Sequence, residues 1–296
     1  MLGWTTPEAN RGYVAHGREK VSVLKTKEEV EAVRSQAPDL KESFEIGREG
    51  AEGLPNNWPA ADGDEAAKKF KETMLSFHDQ CKALHIEVMR AIAVGMGLDD
   101  SYFDSYTDLG DNTLRLLHYP PAPKAVFKSN KLQVRAGEHT DFGSITLLFQ
   151  DSRGGLQVKS PNGTFIDATP MAGTVVVNAG DLLARWSNDT IKSTLHRVVE
   201  PPAPEAGDIH PARYSMAYFC NPNFDRDIEA IDGTWGGKMG EKKYETINSG
   251  GMSYFLSINT RRPMDMPRAI LVLPCSDEKM LTFRVDYLVQ RLAATY

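Results

Sequence analysis

A succession of short, alternating segments after residue 112 constrains the fold of this chain most strongly. Hydrophobic and polar residues alternate with the period of a strand, and turn-forming residues such as those at 161–163 and 178–181 separate the segments. Closely spaced strands of this kind predict a mainly β protein, a double-sheet jelly roll with helices packed outside it. The candidate strands are residues 114–119, 145–150, 155–158, 164–167, 174–178, 194–200 and 213–220.

One long helix is predicted before these strands, at residues 64–98. Apolar side chains recur there three and four positions apart, which is the spacing of a stripe along one helix face. His78 and His85 lie off the stripe, so we expect them to be solvated helix residues rather than ligands. A short helix is also predicted at residues 28–34. The stripe consists of Phe70, Met74, Phe77, Cys81, Leu84, Val88 and Ala91.

The composition excludes several classes of function. A chain of 296 residues with 41% hydrophobic content can bury a substantial core, and β proteins of this size commonly form one domain. A net charge of −6 argues against nucleic acid or an anionic membrane surface as a partner. No apolar run is long enough to span a bilayer. The cysteines, Cys81, Cys220 and Cys275, lack metal-like spacing and indicate reduced thiols of a cytoplasmic protein.

Three side chains form a candidate metal site. In the segment His139-Thr-Asp141, residues two apart point to the same side of a strand, so both side chains can reach one ion. His196 completes the set if its strand folds back beside the first. Two histidines and one carboxylate are the ligands with which non-haem Fe(II) oxygenases hold iron on one face and leave the other open. For His139 taken alone, a surface turn is the alternative.

A second pair of residues follows His196 along the chain. Arg213 and Ser215 flank Tyr214, and strand alternation places both side chains on one face. An arginine fork can bind a carboxylate through two parallel hydrogen bonds, and a serine hydroxyl can add a third. We therefore expect this pair to hold the far carboxylate of a dicarboxylate cosubstrate. A surface arginine is the ordinary alternative, and the order and spacing of the whole set argue against it.

Several segments resemble the 2-oxoglutarate/Fe(II)-dependent dioxygenase superfamily, in its isopenicillin-N-synthase-like (clavaminate-synthase-like) branch of fungi and bacteria. The resemblance covers residues 4–248 and 285–296 and implies a double-stranded β-helix of the cupin-like kind. It implies that His139, Asp141 and His196 are the catalytic ligands of Fe(II). The segments that carry it are LRLLHYPP, GEHTDFGSITLLFQD, GGLQV, VVNAGDLLARWSND, STLHRVV and ARYSMAYFCNPN.

The resemblance also implies a reaction. Fe(II), 2-oxoglutarate and O2 would oxidise a C–H bond of a small molecule by hydroxylation, desaturation or ring closure, with release of succinate and CO2. Arg213 and Ser215 would bind the 5-carboxylate of 2-oxoglutarate, and Tyr119 would donate a further hydrogen bond to this cosubstrate. Two alternatives stay open: an oxidase of the isopenicillin-N-synthase kind without 2-oxoglutarate, and an impaired remnant that only binds metal. Neither the substrate nor the oligomeric state is predicted.

The resemblance divides the chain and marks two departures. Residues 1–111 would be a partial N-terminal helical and loop region, and residues 112–296 the Fe(II)/2-oxoglutarate jelly-roll domain. Relatives carry a segment before WTTPEANRGY that is missing here, and its absence would uncover a sheet edge and apolar core. Residues 251–284 form an insertion without a counterpart, whose ends can be encoded with splice-type signals. We predict a retained intron there and a mis-assigned start at Met1; a true surface insertion is the alternative, and transcript sequencing distinguishes them.

Further residues are expected around the reacting centre. Phe142, Leu147, Val198 and Phe219 are candidate apolar walls, with plain core packing as the alternative. Trp186 is predicted to pack near the entrance of the site.

Overall fold

The computed structural model describes residues 11–19, 37–60, 62–201, 207–251 and 270–274. The helix predicted at residues 28–34, Cys275 and most of the 251–284 insertion lie outside the described residues. No helix within these ranges has both the length and the apolar composition needed to cross a membrane.

Short strands dominate the described part of the chain. The α-helices are α1 (Glu65–Gly95), α2 (Asp104–Thr107), α3 (Lys124–Ser129) and α4 (Asp181–Trp186). The strands are β1 (Gly12–Val14), β2 (Glu42–Gly47), β3 (Thr113–Tyr119), β4 (Ala122–Pro123), β5 (Ala136–His139), β6 (Ile145–Gln150), β7 (Leu156–Lys159), β8 (Phe165–Asp167), β9 (Thr174–Ala179), β10 (His196–Val198), β11 (Ile209–His210), β12 (Arg213–Cys220), β13 (Asp227–Ile228), β14 (Ile247–Asn248) and β15 (Ile270–Pro274).

Two antiparallel sheets form the centre of the fold. The large sheet has the strand order β1-β2-β3-β12-β6-β9-β15, and the small sheet has the order β5-β10-β7-β8. Strands that neighbour in space are often distant in sequence, because the chain passes repeatedly from one sheet to the other. This topology confirms the predicted mainly β jelly roll with flanking helices. The described part of the insertion contributes β15, which pairs with β9 at the edge of the large sheet.

The two faces of the large sheet have different roles. Side chains of Arg115, Leu117 and Tyr119 on β3 line an internal cavity between the sheets. The alternate residues of the same strand, such as Leu114, belong to the core that packs against α1 on the outer face. Strand alternation therefore separates a structural face from a face that is available for chemistry.

Helix α1 confirms the predicted amphipathic helix, although it ends at Gly95 rather than at residue 98. It begins after Asp64, whose carboxylate accepts hydrogen bonds from the backbone N–H groups of Ala66 and Ala67 at 2.9 and 3.1 Å. Such an N-cap satisfies amide groups that have no partner within the first turn of a helix.

The prediction that His78 and His85 are solvated is wrong. Both side chains are buried, because α1 lies across the outer face of the large sheet and is covered on more than its apolar stripe. Nε2 of His85 lies 3.1 Å from the hydroxyl of Ser144. Burial lowers the pKa of His85 to about 3, so this histidine is a neutral core residue at physiological pH.

Candidate active site

Two strands of the small sheet bring the predicted metal ligands together. His139 ends β5, His196 begins β10, and the two are direct partners in the antiparallel register. The centroids of their imidazole rings are 4.3 Å apart. Asp141 lies in the turn after β5, and one potential ligand atom from each of the three side chains lies within 4.8 Å of the other two. The structure thus assembles the triad that the sequence predicted.

The backbone determines which nitrogen of each histidine faces the centre of this cluster. Nδ1 of His139 lies 2.8 Å from the carbonyl oxygen of Gly137, and Nδ1 of His196 lies 3.0 Å from that of Thr194. Because a carbonyl oxygen only accepts hydrogen bonds, each neutral ring carries its proton on Nδ1. Nε2 is then unprotonated on both rings, as a metal ligand must be.

Neighbouring polar groups orient the carboxylate of Asp141. Its Oδ2 accepts hydrogen bonds from the Thr146 hydroxyl at 2.7 Å and from the Asn178 amide at 2.9 Å. Its Oδ1 lies 3.7 Å from Nε2 of His196 and 4.0 Å from Nε2 of His139. These separations are too long for hydrogen bonds, but two metal–ligand bonds of about 2.1 Å each can span them. Two imidazole nitrogens and one carboxylate oxygen are a donor set that fits Fe(II).

The turn at residues 140–144, which we call the ligand turn, is held by main-chain contacts. The backbone N–H groups of residues 180–182, at the start of α4, donate to carbonyl oxygens of the ligand turn at 2.8 to 3.1 Å. The hydroxyl of Thr140 also donates to the carboxylate of Asp181 at 3.1 Å. Asp141 is therefore positioned by the connection between β9 and α4 as well as by its own strand.

Gly143 permits a close approach within the ligand turn. A β-carbon at this position would lie 2.0 Å from the carbonyl oxygen of Cys220, so the main chain would have to move. We expect Gly143→Ala to lower the free energy of unfolding by about 1–3 kcal/mol, the usual cost of overpacking. Urea unfolding of the metal-free protein measures this loss. Gly251→Ala is the control, because a β-carbon there meets its nearest neighbour at 3.6 Å; equal losses in both variants would contradict the prediction.

The two residues predicted to form an arginine clamp lie together on the large sheet. Arg213 and Ser215 both line the cavity, and Nη1 of Arg213 donates to the Ser215 hydroxyl at 3.1 Å. The guanidinium lies 4.8 Å from the ring centroid of Tyr119, its cross-strand partner. Arg213 is only 1% exposed, and its hydrogen-bond partners in the described ranges are neutral oxygens. Since a buried cation needs a compensating charge, this arrangement fits an anionic ligand.

The sequence analysis missed a second arginine in the same cavity. Arg115 lies four residues before Tyr119 on the same face of β3. Its Nη2 is 2.6 Å from Oε1 of Glu45, which is its direct partner in the β2–β3 register. Strand alternation from Tyr119 could have identified Arg115. No signal in the sequence pairs Arg115 with Glu45, because the two are far apart along the chain.

The two carboxyl groups near Arg115, those of Glu45 and Glu19, have pKa values shifted in opposite directions. Burial raises the pKa of Glu45 to about 7, and the nearby Arg115 opposes this rise. Burial also acts to raise the pKa of Glu19, but the cations Lys41 and Arg115 outweigh it and lower that pKa to about 2. Lys41 forms an ion pair with Glu19 and lines the same cavity.

The predicted apolar walls are confirmed in part. Val198 and Phe219 line the cavity, whereas Phe142 is not among its lining residues. Leu147 faces the other way and packs in the outer core, because the even-numbered residues of β6 point inward. The prediction that Trp186 lies near the entrance is wrong: it is 1% exposed and packs edge-on against two aromatic rings of the core.

Comparison with known proteins agrees with this geometry. A profile of the 2OG-Fe(II) oxygenase superfamily matches residues 110–222. A 2-oxoglutarate-Fe(II) type oxidoreductase from Metarhizium rileyi is 38% identical over 250 residues, which cover 82% of this chain and 68% of the relative. The relatives do not distinguish the isopenicillin-N-synthase-like branch from others, so that finer assignment stays a prediction.

Solved structures of one protein from Neurospora crassa, which we call the Neurospora protein, are also similar. In its complex with alpha-KG (2-oxoglutarate) and thymine, the Neurospora protein has 63% sequence identity to this chain and a TM-score of 0.75. The match covers 100% of this chain and 77% of the Neurospora protein. Its complex with alpha-KG and 5-formyluracil is 64% identical with a TM-score of 0.75, covering 87% of this chain and 74% of the Neurospora protein.

The alternative of an oxidase that does not use 2-oxoglutarate is not favoured. The Metarhizium relative is named for 2-oxoglutarate, and the complexes of the Neurospora protein contain it. The chain is 38% identical to the Metarhizium relative over more than two thirds of that relative's length, and it matches the superfamily profile. It therefore belongs to the 2-oxoglutarate/Fe(II)-dependent oxygenase superfamily and is a dioxygenase that uses Fe(II), 2-oxoglutarate and O2 to oxidise a small molecule.

Proposed function

We propose that His139, Asp141 and His196 hold the iron. The observation that carries this proposal is the convergence of two unprotonated Nε2 atoms and one carboxylate oxygen within 4.8 Å. Bound Fe(II) supplies the activation of O2 that is coupled to decarboxylation of 2-oxoglutarate. The protein contributes the orientation of the ligands, through the two carbonyl groups that bind Nδ1 and through the polar groups around Asp141.

We propose that Arg213, Ser215 and Tyr119 bind the 5-carboxylate of 2-oxoglutarate. The support is the buried guanidinium of Arg213, whose protein partners in the described ranges are neutral. A carboxylate there can accept two parallel N–H donors and neutralise the buried charge. The Ser215 hydroxyl lies beside the guanidinium, and the Tyr119 ring packs against its face.

We propose that the substrate is a pyrimidine base with a C–H bond to be hydroxylated, such as thymine or 5-formyluracil. Both compounds occupy structures of the Neurospora protein, to which this chain is 63–64% identical. The cavity of this chain carries groups suited to such a ring. The guanidinium of Arg115 can donate hydrogen bonds to ring carbonyl oxygens, and Phe219, whose ring centroid lies 5.4 Å from that guanidinium, offers an aromatic surface.

Apolar side chains form much of the cavity wall. They include Leu148, Val158, Val176 and Val198. A flat ring with a few carbonyl and N–H groups fits such a lining. A small number of polar contacts is enough to orient the ring in a mostly apolar pocket.

Turnover of thymine tests the proposed substrate. The protein loaded with Fe(II) and 2-oxoglutarate should convert thymine to a product heavier by one oxygen atom, with succinate formed in equal amount. Mass spectrometry of the product and quantification of succinate measure both. 5-Methylcytosine is the matched control, since it keeps the 5-methyl group and replaces one ring carbonyl by an amino group that cannot accept a hydrogen bond from Arg115. Succinate formation that is unchanged by thymine would show that the proposed substrate is wrong.

We further propose a cytoplasmic location. The support is that the described cysteines, Cys81 and Cys220, are buried thiols rather than partners in a disulfide, as is usual where the environment is reducing.

A further inference from the structure

Two arginines face the same cavity at different positions along the sheet. Arg213 is the cross-strand partner of Tyr119, and Arg115 lies four residues earlier on the same strand as Tyr119. A strand rises about 3.3 Å per residue, so the two guanidinium-bearing positions are separated by roughly 13 Å along β3. The cavity therefore has two distinct arginine ends, which we call the Arg213 end and the Arg115 end.

The two ends differ in how their charge is compensated. The hydrogen-bond partners of Arg213 in the described ranges are uncharged, so this end requires an anion from outside. Arg115 instead contacts Glu45 at 2.6 Å and lies 3.8 Å from Oε1 of Glu19, which itself pairs with Lys41. Arg115 therefore has carboxylate partners within the protein before any ligand binds, and they compensate its charge when Glu45 is ionised.

Glu45 influences the cavity through its contact with Arg115 rather than by lining it. Its side chain is 1% exposed and is not among the residues that line the cavity. Its Oε1 forms an ion pair with Nη2 of Arg115, whereas Nε of Arg115 is buried without a hydrogen-bond partner. A buried donor of this kind is costly unless a ligand satisfies it, so the guanidinium is oriented yet incompletely bonded.

We propose that Glu45 is a positioning and specificity-determining residue, which orients Arg115 and cancels its charge so that the Arg115 end accepts a neutral ring carbonyl and rejects anions. This inference rests on the proposed pyrimidine substrate. It explains how one cavity with two arginines separates an anionic cosubstrate from a neutral substrate. The dicarboxylate is drawn to the uncompensated Arg213, and the compensated Arg115 remains for the ring.

The variant Glu45→Gln tests this proposal, because it keeps the shape of the side chain and removes its charge. The probes are thymine and the barbiturate anion, a pyrimidine ring whose negative charge is shared among its carbonyl oxygens. Calorimetry on the anaerobic complex with Fe(II) and 2-oxoglutarate measures both affinities, at about pH 8 so that Glu45 is ionised in the parent protein. We expect thymine affinity to fall about tenfold and barbiturate affinity to rise about tenfold, with 2-oxoglutarate affinity unchanged.

Three further variants separate a charge effect from structural damage. Glu45→Asp keeps the charge and should retain the preference for thymine. The double variant Glu45→Gln/Arg115→Gln should lose the gain in barbiturate affinity, because the uncompensated cation is gone. Glu229→Gln removes an exposed ion pair with Lys242 and should change neither affinity.

The ratio of the two affinities decides the inference. Opposite shifts for thymine and barbiturate that depend on Arg115 support it, whereas equal losses for both ligands, or an unchanged ratio, overturn it. If the parent protein does not bind thymine, the proposed substrate is wrong and the barbiturate measurements alone decide the role of Glu45. A gain that requires Arg115 then supports the inference, and the absence of a gain overturns it.

Discussion

Exchange of His139 for alanine should abolish iron binding and, with it, succinate formation. The variant leaves only one imidazole and the Asp141 carboxylate facing the site. Removal of a residue that hydrogen-bonds to a metal ligand typically lowers metal affinity by about 10–100-fold. Removal of the ligand itself should therefore lower the affinity for Fe(II) by more than about 100-fold. Anaerobic titration with Fe(II) and then 2-oxoglutarate measures this, because the chelated keto acid gives a visible charge-transfer band.

His118→Ala is the matched control for this experiment. His118 lies on β3, is absent from the lining of the iron cavity, and its Nδ1 contacts the carboxylate of Glu42 at 2.7 Å. Its loss should leave iron affinity unchanged. Stoichiometric iron binding by the His139→Ala protein, with the charge-transfer band intact, would refute the assignment of the metal ligands.

Exchange of Arg213 for alanine should raise the KM for 2-oxoglutarate by about 100-fold, which corresponds to about 2.7 kcal/mol. The reason is the loss of the buried guanidinium that we propose to neutralise the 5-carboxylate through two hydrogen bonds. Arg213→Lys should lie between the parent and the alanine variant, because an ammonium group keeps the charge but not the fork. Iron affinity measured without 2-oxoglutarate should stay within about twofold, because Arg213 contacts none of the three ligands.

Arg197→Ala provides the control for loss of an arginine. Arg197 follows His196 on β10 and bonds to Gln157 and Glu138 away from the cavity lining. Its removal should leave the KM for 2-oxoglutarate nearly unchanged. A collapse of iron affinity in Arg213→Ala, with 2-oxoglutarate binding preserved, would show that the roles of the two groups have been exchanged.

The features that sequence predicted here are those set by local period and spacing. The spacing of His139 and Asp141 correctly predicted that they lie together, although Asp141 lies in the turn after β5 rather than in the expected strand. Alternation correctly placed Arg213 beside Ser215, and the succession of short strands correctly predicted the jelly roll. The register that sets His196 directly opposite His139 depends on how two distant strands pair, and no local pattern encodes it.

The wrong predictions, and the residue that was not predicted, depend on contacts between segments that are distant in the sequence. His85 was placed in solvent because an amphipathic stripe identifies one buried face of a helix, whereas α1 is covered on more than one. Trp186 does not lie near the entrance of the site, because the short helix α4 directs its side chain into the core. Glu45 could not be recognised, because its role depends on its pairing with Arg115 across two strands.

The way in which the ligand turn is held affects which of its side chains can be substituted. Its position relies on hydrogen bonds between backbone groups of residues 180–182 and 141–144, and backbone groups are present whatever the side chains are. Substitution at Phe142 therefore leaves the hydrogen bonds that hold Asp141 in place. A library of variants at Phe142 would therefore test how far the side chains of this turn can change while the backbone that positions Asp141 is kept.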